Sequence, residues 1–378
     1  MMMSQVFFSD LKAESGKTFL HKLDLLLERT ELKGKIREKD LVAIKLHFGE
    51  QGNTAYVRPI FVRRVVDIVK QLGGKPFLTD TNTLYRGTRQ EAVSHLTIAY
   101  RHGFGYSAVD APVVIADGLR GNSAEKVRIN KPIFKTVPVA HGIYTADVLI
   151  GVAHFKGHEL SGFGGTLKNL GMGCTSRKGK LSEHSNISPK VKTKACKGCE
   201  RCLSCCPEQA ISMLSPRQEI EGKRMVAFID SRKCIGCGEC ILTCPSGVIQ
   251  IRWNESIPVF QKKMVEHAFG AVQNKKGKAL YLNFLTQISP ACDCNEYSDT
   301  PIVHDIGILV SDDPVSIDQA SVDLVNQAEG NPASKLAIAV KSGEDKFRAL
   351  YPEVDWSIQL AYAEEIGLGT REYELVKV

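Results

Sequence analysis

Leu41-Val42-Ala43-Ile44-Lys45-Leu46-His47-Phe48, followed by Gly49-Glu50-Gln51-Gly52-Asn53, reads as a mostly buried strand running into a turn. A helix is expected next over residues 58–72, because Val62, Val65, Val66 and Val69 share one face and Gly73-Gly74 stops it. Pro76-Phe77-Leu78-Thr79-Asp80 supplies a second strand, and a strand–helix–strand unit of this kind implies parallel pairing. Further strands are expected at residues 113–116 and 147–153. After Trp253 the pattern resumes with a helix over 262–272, a strand over 279–285, the stretch Pro301 to Val310, and a helix over 315–328. Asp312-Asp313-Pro314 caps that last helix, with proline at a favoured first-turn position and Ile317, Ala320, Ser321 and Leu324 as its buried stripe. The fold class is therefore α/β: a mostly parallel or mixed sheet with helices on both faces.

In such sheets ligands bind beyond the carboxyl ends of the strands. His47 and Glu50 follow the first strand, Asp80, Thr81 and Asn82 the second, Asp117 the third, and His154, Lys156, His158 and Glu159 the fourth. Each alone is more often a turn or cap residue than a catalyst, but their recurrence at one end of successive strands points to a shared cleft. Gly162-Phe163-Gly164-Gly165-Thr166-Leu167-Lys168-Asn169-Leu170-Gly171-Met172-Gly173-Cys174 adds a glycine-rich stretch. Its amides would form an anion nest with Lys168 as the cation, or its glycines would serve a tight turn against the segment that follows. The catalytic candidates are His47, His154, Lys156, His158 and Lys168. A flavin at the glycine-rich stretch has no motif to name it.

That following segment is a duplication. Cys196-x2-Cys199-x2-Cys202-x3-Cys206-Pro207 recurs as Cys234-x2-Cys237-x2-Cys240-x3-Cys244-Pro245, at a constant offset of 38 residues (234 − 196). Three thiolates spaced by two residues hold one cubane, and the fourth, before proline, ligates the other one. The pattern predicts two 4Fe-4S clusters, one on Cys196, Cys199, Cys202 and Cys244 and one on Cys234, Cys237, Cys240 and Cys206. Structural zinc sites give no reason for proline after both fourth cysteines, and a disulfide framework belongs to small secreted chains. Cys205 adjoins Cys206 as an alternative ligand, and Gln218-Glu219-Ile220-Glu221-Gly222-Lys223 reads as a hairpin tip between the halves. Residues 188–252 thus form an α+β insert resembling bacterial two-cluster ferredoxins, and 1–187 with 253–378 form the α/β host.

Hydrophobic content of 43% with 24% charged residues is ordinary for a globular chain. No apolar run approaches the ~18 residues of a membrane span, and Met1 to Asp10 lacks the layout of a signal peptide. A cytoplasmic location is expected, and twelve cysteines suit a reducing compartment. The net charge of +7 concentrates at Arg177, Lys178, Lys180, Lys190, Lys192, Lys194 and Lys197, opposed by Glu183. Without interleaved aromatics or a nucleic-acid motif, no nucleic-acid partner is expected. The charge would steer an acidic redox partner protein, or simply solvate a loop.

The flanks resemble the family called domain of unknown function 362. The residues that carry the likeness are Lys45 to Glu50, Asp80 to Tyr85, His154 to His158 with Gly164 to Gly173, Cys292-Asp293-Cys294, and Asp312 to Asp318. The resemblance implies an iron–sulfur protein of redox metabolism without naming a reaction. Gly164 to Lys168 is also similar to the glycine-lysine loop of nickel-pincer lactate racemases, which would make Lys168 and nearby histidines cofactor-facing.

Three functions compete. The chain is an electron-transfer protein relaying electrons through the clusters, or a complete oxidoreductase with a small-molecule substrate in the cleft, or a scaffold with structural clusters. For the second, Cys292 and Cys294 would join Cys174 and a histidine such as His304 in a third metal site, or form a dithiol couple.

Overall fold

The computed structural model describes residues 3–185, 188–215, 225–336 and 340–378. The expected hairpin tip at residues 218–223 lies outside the described residues.

One eight-stranded sheet organises the host. Its strands, in chain order, are β1 (Ser4–Asp10), β2 (Leu41–Lys45), β3 (Lys75–Asp80), β4 (Val113–Ile115), β5 (Val148–His154), β6 (Ala279–Leu285), β7 (Gly307–Ser311) and β8 (Tyr373–Lys377). The spatial order is β8-β1-β7-β6-β5-β2-β3-β4. From β6 to β4 all neighbours are parallel, β7 runs antiparallel to both β6 and β1, and β8 is parallel to β1. The expected α/β class with a mixed, mostly parallel sheet is the one observed.

Alternation along the strands divides the core into two layers. On β5, Val148, Ile150 and Val152 pack with the helices Phe19–Arg29 and Pro59–Gln71, whereas Leu149 faces the helices Ile257–Val272 and Pro314–Gln327. On β6, Leu280 and Leu282 join the first layer and Tyr281 the second. Buried on both faces, such strands read as continuous apolar runs rather than alternating ones. Val62, Val65, Val66 and Val69 are all buried, as their spacing requires. The helix expected from residue 262 starts earlier, at Ile257, because Pro258 occupies its first turn. The stretch 301–310 leads into a strand at Gly307–Ser311.

Between β5 and β6 the chain leaves the sheet. Lys190–Val191 pairs with Ile249–Gln250, and Ile211–Leu214 pairs with Val226–Ile229, both antiparallel. The short helices Arg201–Ser204 and Glu239–Thr243 follow the cysteine loops. The duplication extends to the backbone: Gly198 and Gly236, Glu200 and Gly238, and Gln209 and Gly247 all have positive φ, each pair at the sequence offset of 38 residues (236 − 198). A non-glycine residue held in that region, as Glu200 and Gln209 are, marks a loop shape imposed by its surroundings.

The glycine-rich stretch is packed against the host and filled by the chain itself. Gly162–Gly164 pairs with Lys156–His158, and a short helix, Thr166–Gly171, follows. The first amides of that helix, Thr166 and Leu167, donate to the Asp318 carboxylate at 2.7 and 2.8 Å. Asn283 Nδ2 donates to the same carboxylate at 2.8 Å. The expected anion nest is thus occupied by Asp318, and the expected contact with the cysteine-rich insert is replaced by one with the Pro314–Gln327 helix. A Cβ on Gly165 would stand 2.3 Å from Asp318 Oδ1 and 2.9 Å from Phe155. Gly165→Ala is expected to cost about 1–3 kcal/mol through overpacking; an unchanged urea midpoint would contradict this.

Candidate functional site

The chain runs from β2 through β3 to β4 and then returns to place β5 on the other side of β2. This is the topological switch point at which open α/β sheets bind ligands. A cleft of about 490 Å³ lies at the carboxyl ends of these strands. Lys45 and Asp80 end their strands there; His47, Tyr85 and Arg89 enter from loops, Lys156 and His158 from the short strand Lys156–His158, and Lys168 from the helix Thr166–Gly171. One wall is apolar and aromatic: Phe260 stacks on His184 at 4.7 Å, and Trp253 meets the same ring edge-on at 4.6 Å.

Most charges in the cleft are paired. Lys45 Nζ is 3.0 Å from Asp80 Oδ1 and donates to Asn169 at 2.8 Å. Arg89 bridges Glu50 at 3.3 Å and Asp80 at 3.6 Å. Lys156 lies 3.2 Å from Asp293 Oδ2. Although burial disfavours the charged form, the Lys45 and Arg89 charges hold Asp80 far below the usual carboxylate range. Lys180 has no carboxylate partner among the described residues; it donates to Thr81 Oγ1 at 2.6 Å and the Thr175 carbonyl at 2.9 Å. Burial lowers its pKa to about 8.

The imidazoles divide into two kinds. The Gly49 amide donates to His47 Nδ1 at 3.0 Å, and the Leu160 amide donates to His158 Nδ1 at 3.1 Å. An Nδ1 that accepts leaves the proton on Nε2, so both rings are neutral donors toward a ligand. Burial depresses both well below the ordinary histidine value. His154 instead has acceptors at both nitrogens, Asp293 at 2.9 Å and the Thr286 carbonyl at 3.0 Å. It ties β5 to the 286–293 loop and does not line the cleft.

Cys292 and Cys294 line the cleft, with Lys168 Nζ 3.0 Å from Cys292 Sγ. Cys174 is fully buried in the sheet core, where burial pushes its thiol up to about 11, and His304 lines a separate depression. Neither shares the cleft with Cys292 and Cys294. Among the described residues, no three His, Cys, Asp or Glu side chains converge as a single-ion site.

In the cysteine-rich segment, the eight motif cysteines gather around two cavities. Cys196, Cys199, Cys202 and Cys244 line one; Cys206, Cys234, Cys237 and Cys240, with Cys205, line the other. Cys206 Sγ accepts the Ala210 amide at 3.2 Å, whereas the Cys205 thiol donates to the Cys202 carbonyl at 3.3 Å. Cys199 is exposed, so the first cavity faces solvent. The second abuts the host. Leu84 lines the cleft and also packs in the cysteine core, and a Cβ on Gly238 would stand 3.6 Å from Leu84 Cδ1. Arg177, fully buried, clamps the same loop through Glu239 at 3.1 Å while donating to the Thr83 and Gln90 carbonyls at 3.3 and 2.6 Å. The basic run is therefore divided: Arg177 and Lys180 turn inward, and Lys178, Lys190, Lys192, Lys194 and Lys197 are exposed.

The sequence reading missed Arg89, Lys180, His184 and Phe260. Lys45 had a signal, a charge inside an apolar strand; the others sit on loops or helix faces without one.

Five histidines set a pH dependence. Burial lowers His95 and His184 to about 3 and His267 to about 4, with His47 and His158 also well below the ordinary value. Unfolded histidine titrates near about 6.5, so this stability is present above that pH and lost as pH falls toward the folded values. Burial raises Asp117 and Asp318 to about 6, Glu183 well above the ordinary carboxylate value and Asp313 above it, which opposes part of the loss. The five histidines outweigh these four carboxyls, so the urea midpoint is expected to fall from pH 7 to pH 5. A flat profile would contradict this.

Among the described residues no helix is long and apolar enough to cross a membrane. No curated protein matches the chain. Among solved structures it is similar to the lactate racemase apoprotein from Thermoanaerobacterium thermosaccharolyticum, at 13% identity over 74% of this chain and 50% of that one, TM-score 0.39. It is also similar to a Thermotoga maritima protein, at 8% identity over 94% of this chain and 60% of that one, TM-score 0.38. The chain thus spans half to three-fifths of the length of these two proteins. Residues 42–323, which include β2 through β7 and the cleft, match the family described as Domain of unknown function (DUF362), and the chain belongs to that family.

Proposed function

We propose that this chain is an iron–sulfur electron-transfer protein that carries electrons between a partner protein and the cleft of its own α/β domain. The reading assigns one 4Fe-4S cluster to Cys196, Cys199, Cys202 and Cys244 and a second to Cys206, Cys234, Cys237 and Cys240. The donor sets fit: each cavity has three thiols from one run and the pre-proline thiol from the other, the wiring of a two-cluster ferredoxin. The Ala210 amide on Cys206 Sγ is the kind of N–H···S bond that stabilises a ligating thiolate. Bound clusters would supply one-electron chemistry at low potential.

The observation that carries the reading is Leu84. Leu84 lines the cleft and also packs against the second cysteine loop, where a Cβ on Gly238 would stand 3.6 Å from its Cδ1, and electron tunnelling falls off steeply with distance. Exposed Cys199, with Lys192, Lys194 and Lys197 nearby in sequence, gives the first cavity a basic face for an acidic redox partner. Two such carriers beside a polar cleft favour delivery to a substrate there over a structural role.

The test is anaerobic reconstitution followed by iron and sulfide analysis and EPR after dithionite. About eight irons per chain and a reducible signal follow from two cubanes. Clusters that form but resist reduction would leave the scaffold reading in place.

A further inference from the structure

Cys292-Asp293-Cys294 is the one cysteine pair that the cleft contains among the described residues. It sits on a turn pinned from every side. Asp293 is held by His154 at 2.9 Å and Lys156 at 3.2 Å, and its carbonyl accepts the Glu50 amide at 3.0 Å. Tyr85 Oη donates to the Cys294 carbonyl at 3.2 Å and accepts from Arg89 at 2.7 Å. On this turn both cysteine side chains line the cleft. Cys292 Sγ accepts from Lys168 Nζ at 3.0 Å and from the Cys294 amide at 3.4 Å.

We propose that Cys292 and Cys294 are a reversible dithiol–disulfide couple and form the two-electron redox site of the cleft. The inference rests on the electron route proposed above. Both side chains line the same cleft, and the Cys294 amide is 3.4 Å from Cys292 Sγ, so closing the bond requires only a local adjustment to disulfide geometry. The arrangement is the reduced, thiolate–thiol form, with Lys168 as counter-ion of the Cys292 thiolate. The hydrogen bond from Cys294, with the Lys168 and Lys156 charges, holds the Cys292 thiol well below the usual range against burial. Cys174 supplies the contrast: equally buried, it has only a carbonyl at 3.9 Å and a raised pKa of about 11.

The step balances. The Cys292–Cys294 disulfide takes up two electrons and one proton. The S–S bond breaks, Cys292 becomes a thiolate paired with Lys168, and Cys294 becomes the thiol that hydrogen-bonds to it. The electrons come singly from a low-potential one-electron donor of the ferredoxin kind. In reverse, the pair gives two electrons to an oxidised small molecule bound in the cleft and closes again.

The experiment oxidises the anaerobic holoprotein with diamide and titrates it with dithionite, beside a Cys292→Ser/Cys294→Ser variant. Uptake of about four electrons by the parent and about two by the variant is expected, since a disulfide takes two and each cluster one. Equal uptake by both, with EPR showing reduced clusters, would overturn the inference and leave the electron route standing. Differential alkylation of the parent decides the pair without any cluster. Cys292 and Cys294 should resist iodoacetamide after diamide and react after dithiothreitol, whereas reaction in both states would overturn the inference. Absence of any reducible cluster would overturn the electron route instead.

Discussion

Cys206→Ser is expected to lose about half of the bound iron, whereas its neighbour Cys205→Ser keeps all of it. The two thiols line the same cavity and differ in what their sulfur faces. Cys206 Sγ accepts an amide, as a ligating thiolate does, and precedes the proline of the motif. Cys205 spends its S–H on the Cys202 carbonyl. Loss of either pre-proline ligand removes one corner of a cubane, so Cys244→Ser should halve the iron in the same way while affecting the other cavity. EPR would separate the two variants: Cys206→Ser retains the signal of the solvent-facing cluster, and Cys244→Ser that of the cluster beside Leu84. Iron counts that fell equally for Cys205→Ser and Cys206→Ser would refute the assignment.

Arg177→Met should be the most destabilising single change at the junction between host and insert. Arg177 is fully buried and spans both, from Glu239 in the second cysteine loop to the Thr83 and Gln90 carbonyls of the host. Removing the guanidinium leaves a nearly buried carboxylate without its main partner, a change that costs about 3–5 kcal/mol. A second substitution, Glu239→Gln, removes that stranded charge and should recover part of the loss. The double-mutant cycle in urea measures the coupling, and additive losses would show that the pair does not act as a unit.

How far these features were legible depended on whether they were periodic. Apolar period and stop signals located β2, β3, β5, β6 and the helices Pro59–Gln71 and Pro314–Gln327, because buried strands and amphipathic helices must display them. The strands β1 and β8, on one side of the sheet, were missed: β1 pairs with β7 and β8, and neither β1 nor β8 carries a long apolar run. The gathering of the eight motif cysteines around two cavities was legible in their duplicated spacing. In the cleft, position after a strand identified His47, Lys156 and His158 but also His154, whose imidazole turns away to Asp293. Sequence order does not say which way a ring points. Nor did it show that Asp318, on a distant helix, would fill the amides of the glycine-rich stretch, or that Arg177 in a basic run would be buried.

The central claim places two iron clusters in series with the cleft, and anomalous diffraction at the iron edge from anaerobically grown crystals tests it most directly. Two compact iron peaks are predicted, one among Cys196, Cys199, Cys202 and Cys244 and one among Cys206, Cys234, Cys237 and Cys240, the latter just across Leu84 from the cleft. Single-atom peaks in those cavities, or zinc in place of iron, would contradict the account.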